Sequence, residues 1–252
     1  MTLSEELLAL GVAPGGVLLA HISFRAVRPV ENGPTGLVSA LREALGPDGT
    51  LVMPSWGADD DTPFDPRSTP AAPDLGVTAD VFWRLPGVRR SNHAFAFAAA
   101  GPAAEAILRD GLPLPPHVPA SPVGRVHDHD GQVLLLGPGH DANTTLHLAE
   151  LIAKVPYGVP HHCTVLDGGV AKRIDYLEND HCCERFALAD DWLRAASLQR
   201  EGRLGSATAR LMRSRDVVRV ALEALAADSM VFLHPAAAGC EECDRARQSA
   251  RE

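Results

Sequence analysis

Four short apolar runs, Val17–His21, Thr50–Pro54, Val133–Leu136 and Met230–His234, narrow the possible folds more than any other feature of this chain. Each is compact, shows no apolar–polar alternation, and has turn residues nearby. That is the pattern of a strand covered on both faces. Between the runs the period becomes helical. Thr35–Leu45 (TGLVSALREAL) stops at Gly46-Pro47, and Val77–Leu85 is bounded by Gly76 and Pro86. Ser121-Pro122 supplies an N-cap followed by proline at the first helical position. Strands alternating with helices predict an α/β fold with a mainly parallel central sheet flanked by helices. Thr164–Leu166 and Arg173–Tyr176, joined through Asp167-Gly168-Gly169, predict a β-hairpin. The part after about residue 200 reads as mostly helical, then one strand, then a cysteine-containing tail. No linker or internal repeat divides the 252 residues, so a single domain spanning 1–252 is expected.

A composition 46% apolar supplies a sizeable core. No stretch of about 18 apolar residues is present, so no membrane-spanning helix is expected. The opening MTLSEELLAL lacks the basic and apolar regions of a signal peptide, which implies a cytoplasmic protein. A formal charge of −9 argues against nucleic acid and anionic membrane as partners. It favours a cationic one. The Pro-bounded loop GADDDTPFD gathers Asp59, Asp60, Asp61 and Asp65, and YLENDH adds Glu178 and Asp180.

The segment Gly139–Val155 (GHDANTTLHLAELIAKV) reads as a helix that is apolar nearly all round and therefore buried. Yet Asn143, His147, Glu150 and Lys154 fall on one narrow stripe. A histidine with a carboxylate one turn beyond it is the usual means of making a general base near neutral pH. The neighbouring His140 and Asp141 leave a zinc hydrolase built on His140, Asp141 and His147 as an alternative, although H-E-x-x-H is absent.

Five cysteines in a reducing compartment suggest metal rather than disulfides. Cys240 and Cys243 form a C-x-x-C, and His181-Cys182-Cys183 lies some 60 residues earlier. A structural zinc held by Cys240 and Cys243 is expected, with Cys182, Cys183 and His181 as the other candidates. Cys163 stands alone and reads as a small apolar residue. The first strand runs into a loop containing Ser23, Phe24 and Arg25 before a helix, a place where backbone N–H groups meet phosphates, though no glycine fingerprint accompanies it.

Taken as ordered blocks, GGVLLAHISFRAV, LGPDGTLVMPSW, RSNHAFAFAAAG, ASPVGRVHDHDGQVLLLG and HDANTTLHLAE resemble the aminoglycoside 3-N-acetyltransferases, over about residues 10–235. PYGVPHHCTVL, YLENDHCCERFALAD and HPAAAGCEECDRARQ are similar to the class IV enzymes, which act on apramycin and gentamicin-type drugs. The resemblance implies an α/β fold distinct from the common acetyltransferase fold. It implies transfer of acetyl from acetyl-CoA to the 3-amino group of a deoxystreptamine ring. His147 would be the base and Glu150 its orienting partner. Asp60, Glu178 and Asp180 would hold the drug, and the Ser23-Phe24-Arg25 turn would meet the cofactor. Among arginines, Arg25, Arg125 and the pair Arg89-Arg90 are candidates for the CoA phosphates. Where the family reads His-Ser-Ser, this chain reads His21-Ile22-Ser23. A non-catalytic aminoglycoside-binding protein is a further alternative, and monomer and homodimer both stay open.

Overall fold

The computed structural model describes residues 1–109 and 111–250. Its centre is a seven-stranded sheet. In chain order the strands are β1 (Val17–Ile22), β2 (Thr50–Pro54), β3 (Arg89–Arg90), β4 (Phe97–Ala100), β5 (Gln132–Leu136), β6 (Val159–Asp167), β7 (Val170–Glu178), β8 (Gln199–Leu204) and β9 (Ala207–Arg213). Across the sheet they run β3-β4-β2-β1-β5-β9-β8, and β6 with β7 forms a separate hairpin. The middle three strands are parallel, with Leu18 opposite Leu51 on one side and Gln132 on the other. Antiparallel pairs flank them: β4 on β2, and β9 on β5. The α/β class and the parallel centre agree with the sequence, while the flanks turn the sheet into a mixed one.

Burial on both faces explains why the central strands are continuously apolar. Leu19, Val52, Val133 and Leu135 point into one core with the helices Pro122–Asp128, Thr144–Ala153, Leu188–Ala195 and Ser214–Ala227. Leu18, Ala20, Leu51, Met53, Leu134 and Leu136 point into the other with Leu3–Leu10, Gly33–Leu45 and Gly76–Phe82. The expected helices Thr35–Leu45 and Val77–Leu85 appear within a residue or a few, and Ser121 caps the next helix by accepting from Gly124 N–H. The hairpin forms as predicted but longer, closed at Gly168-Gly169, both at positive φ.

Two expectations fail. Met230–His234 is a turn, not a strand. Its Phe232 and Leu233 are buried as plugs in two different cores, and a short apolar run has the same signature either way. The part after residue 200 is not mostly helical, because β8 and β9 occupy that edge of the sheet. β8 is largely exposed and polar, so it carries no apolar run to announce it. Among the described residues no helix is long and apolar enough to cross a membrane.

Candidate active site

The central strands set the position of the site. After β1 the chain passes into the helix Gly33–Leu45 on one face, and after β5 into Thr144–Ala153 on the other. Those two connections leave β1 and β5 in opposite directions and open a crevice beyond the carboxyl ends of the strands. A cavity of about 740 Å³ lies there. Ser23, Phe24 and Arg25 line it after β1, Trp56 after β2, and Asp141 to Thr144 after β5.

Asn143 begins the second helix, its side chain accepting from Thr145 N–H at 3.1 Å. One turn in, His147 faces the cavity with its side chain 19% exposed. Its Nδ1 donates to Glu150 Oε2 at 2.9 Å. Glu150 is fully buried and accepts from three further donors: Asn179 Nδ2 at 2.6 Å, the Tyr157 hydroxyl at 2.5 Å and His181 Nε2 at 2.9 Å. Burial raises the carboxyl, but these bonds outweigh it and hold the group down at about 2. Burial pulls His147 down in turn, yet the charge and hydrogen bonds of Cys183 and Glu150 lift it well above its usual 6.5. Its Nε2 meets Cys183 Sγ at 3.4 Å. His117 stacks on the same ring at 5.4 Å and 16°, and burial keeps His117 far below its ordinary value and neutral. Lys154 ends the helix in a left-handed cap and is exposed, so it drops out of the polar stripe.

The acidic residues separate. Asp180 lines the cavity and accepts from His161 Nε2 at 3.1 Å. Glu178, at the end of β7, accepts from the Tyr176 hydroxyl at 3.3 Å and is not among the lining residues. Burial raises its carboxyl, against the pull of His147 and His161. Asp60 is exposed on the loop that leans on the hairpin, where its neighbour Asp61 meets His162 at 2.8 Å. Of the arginines weighed for CoA, Arg25 reaches the cavity. Arg90 instead bonds the carbonyls of Ser55 and Thr69, Arg125 those of Ile107 and Arg109, and Arg89 pairs with Glu105.

The cysteines are placed differently from the sequence expectation. Cys182, Cys240 and Cys243 gather with His234, which sequence reading missed. Cys183 and His181 do not join them. Cys183 adopts a left-handed backbone (φ 59°), which turns its side chain away from its neighbour and toward His147. His181 is spent on Glu150 and on the N–H of Cys183. The alternative site of His140, Asp141 and His147 is not assembled. Among the described residues no set of close donors includes His140 or Asp141, and both His140 nitrogens are engaged, by Gln199 and Asn143. Cys163 is buried in β6, its thiol pushed up to about 11 by burial, which leaves it inert. His117, Asn179 and Tyr157 carried no signal in the sequence, since each lies outside the polar stripe of the helix and meets it only through the fold.

An α/β protein with a histidine bonded to a buried carboxylate, in a crevice that Asp180 also lines, is the class that fold and site define. Comparison narrows it. Residues 19–226 match the family model of the aminoglycoside 3-N-acetyltransferases. Aminoglycoside N(3)-acetyltransferase IV of Salmonella sp is 70% identical over 234 residues, 93% of this chain and 90% of the relative. A histidine-to-alanine mutant of aminoglycoside acetyltransferase AAC(3)-IVa has been solved in complex with a gentamicin, at TM-score 0.97, 70% identity, 98% of this chain and 95% of that one. The same mutant with apramycin superposes at TM-score 0.90, with 67% identity and 96% of each chain. AAC-IIIb in a binary complex with CoASH superposes at TM-score 0.81, with 26% identity, 88% of this chain and 94% of that one. The chain belongs to the aminoglycoside 3-N-acetyltransferase family and is an enzyme of that kind.

Proposed function

We propose that this protein acetylates the 3-amino group of the deoxystreptamine ring of aminoglycosides of the gentamicin and apramycin type, using acetyl-CoA, with His147 as general base. One observation carries the reading: His147 Nδ1 is fixed on the fully buried Glu150 carboxylate while the same ring lines a cavity of about 740 Å³. Nε2 takes a proton from the substrate ammonium, the freed lone pair attacks the thioester carbonyl, and the tetrahedral adduct breaks its C–S bond to release CoA thiolate, which takes up the second nitrogen proton and leaves a neutral amide. A polycationic drug beside His147 lowers its proton affinity, so substrate binding favours the neutral base. Asp180, which lines the cavity, receives an ammonium of the drug, Glu178 stands two residues before it, and Asp60 adds a solvated charge. Ser23, Phe24 and Arg25 take the cofactor side, with backbone N–H groups of that turn meeting the developing oxyanion.

The zinc expected from the cysteines belongs to this reading as a structural ion outside the reaction. The protein is further proposed to be one cytoplasmic domain with a cysteine-containing tail. The test mixes purified protein, acetyl-CoA and a panel of deoxystreptamine drugs, and follows free thiol and product mass. Drug-dependent thiol release with one acetyl added at the 3-amino group supports the assignment. Drug binding without thiol release would leave a sequestering protein in its place.

A further inference from the structure

We infer that the zinc site is a Cys182–His234–Cys240–Cys243 clip that positions the catalytic loop 179–184; this rests on the reading that the cysteines hold zinc at all. The donors come from three separate stretches of chain: the loop after β7, the turn after the helix Ser214–Ala227, and the first turn of the helix Glu241–Ser249. Cys182 Sγ stands 3.6 Å from Cys243 Sγ and 3.3 Å from His234 Nδ1, and Cys243 Sγ stands 3.7 Å from the same nitrogen. Tetrahedral zinc, with Zn–S of about 2.3 Å and Zn–N of about 2.0–2.1 Å, separates its donors by roughly 3.5–3.8 Å. The four ligand atoms, Cys240 included, all lie within 4.8 Å of one another.

One detail favours a metal over a redox pair, and a second suits either. His234 offers Nδ1 to the cluster while its Nε2 faces Glu184 Oε2 at 3.5 Å, the carboxylate–histidine arrangement that fixes a ligating ring. Cys240 is the N-cap of its helix, where the macrodipole favours a thiolate. The other close set, His147, His181 and Cys183, does not match. Two of its ring nitrogens already serve Glu150, which leaves too few free donors for a closed tetrahedron.

The clip reaches the chemistry through its neighbours. Asp180 lines the cavity on one side of Cys182, and Cys183 contacts His147 on the other. Arg185 adds a bond to Val231 O at 2.9 Å, and Gly158 N–H one to Ser249 Oγ at 3.0 Å, so the ion would complete an existing seam between loop, turn and tail.

The test uses the full chain purified under reducing conditions without chelator. Elemental analysis should give about one zinc per chain. Cobalt substitution should give the intense ligand-field bands of a tetrahedral three-sulfur, one-nitrogen site. His234→Ala and Cys182→Ser should each weaken metal binding by well over tenfold, and Glu184→Gln by about tenfold. Cys183→Ser should leave metal content and cobalt spectrum unchanged. Metal removal should speed amide exchange at residues 179–184. Protein with less than a tenth of an equivalent of zinc, or with a Cys240–Cys243 disulfide instead, overturns the metal. Cobalt bands insensitive to His234→Ala but altered by Cys183→Ser overturn the donor set. Unchanged exchange after metal removal overturns the positioning role. None of these readouts uses drug or acetyl-CoA. A zinc-loaded protein without transferase activity therefore counts against the enzymatic reading alone, and an active metal-free one against the clip alone.

Discussion

At the scale of single residues, Glu150 governs the site. Sequence exposed the pair His147–Glu150 because polar groups are conspicuous on an apolar helix. It could not expose that four donors converge on one carboxylate, since Asn179, Tyr157 and His181 come from other segments. Nor could it show that Lys154, an apparent member of the same stripe, is the helix's C-terminal cap. His147→Gln should lower turnover by roughly 10²–10⁴ in steady-state assays, with far-UV dichroism unchanged. Glu150→Gln is harsher than a lost orienting bond. Its amide N–H groups would face the hydrogens of buried donors, and unfolding titrations should show a loss of about 3–5 kcal/mol. The signs with pH follow. Glu150, held down at about 2, contributes stability above pH 4.5 that is lost as pH falls toward 2. His147, raised, contributes stability below pH 6.5 that is lost as pH climbs through its folded value. The base must be neutral to act, so kcat/KM should rise with pH along a limb centred above 6.5. In Glu150→Gln that limb should move to lower pH. A limb that stays in place would remove Glu150 from control of the proton.

At the scale of elements, the β6–β7 hairpin and the acidic loop that meets it stand beside the crevice, which Asp180 just beyond β7 lines. Both were legible, the hairpin from its Asp-Gly-Gly turn and the loop from its run of aspartates. Their division of labour was not, because exposure is decided by packing. Asp180→Asn should raise the Michaelis constant for drug by roughly ten- to a hundredfold, the cost of about 1.5–3 kcal/mol for one charge-assisted bond. Asp60→Asn should change it much less, since an exposed pair is screened by water. The constant for acetyl-CoA should stay near wild type in both. Equal effects from the two variants would mean that the drug lies across the rim and not inside the cavity. The turn at Met230–His234 shows the opposite limit of sequence reading. Its apolar residues belong to the core, as their type demanded, but they enter it from a turn and not a strand, and the histidine at its end lies among the cysteines.

At the scale of the whole molecule, charge and topology act together. The net charge of −9 draws polycationic drugs and repels anionic CoA, so added salt should raise the Michaelis constant for drug and spare that for acetyl-CoA. Insensitivity to ionic strength would assign the charge to solubility alone. The parallel centre of the sheet was readable from β1, β2 and β5, whose runs are apolar because both faces are covered. The edge strand β8 and its neighbour β9 were not, because exposed polar residues interrupt their apolar pattern. The crevice between the departures of β1 and β5 has a thermodynamic consequence. Its walls belong to opposite layers: Ser23, Phe24 and Gly76 to one, Asn143, His147 and Cys183 to the other. A molecule lodged there touches both layers and must leave before they can part. Bound drug or CoA is therefore a rivet as well as a reactant. At a hundred times its dissociation constant either should stabilise the protein by about 2.7 kcal/mol, and the two layers should melt later and together.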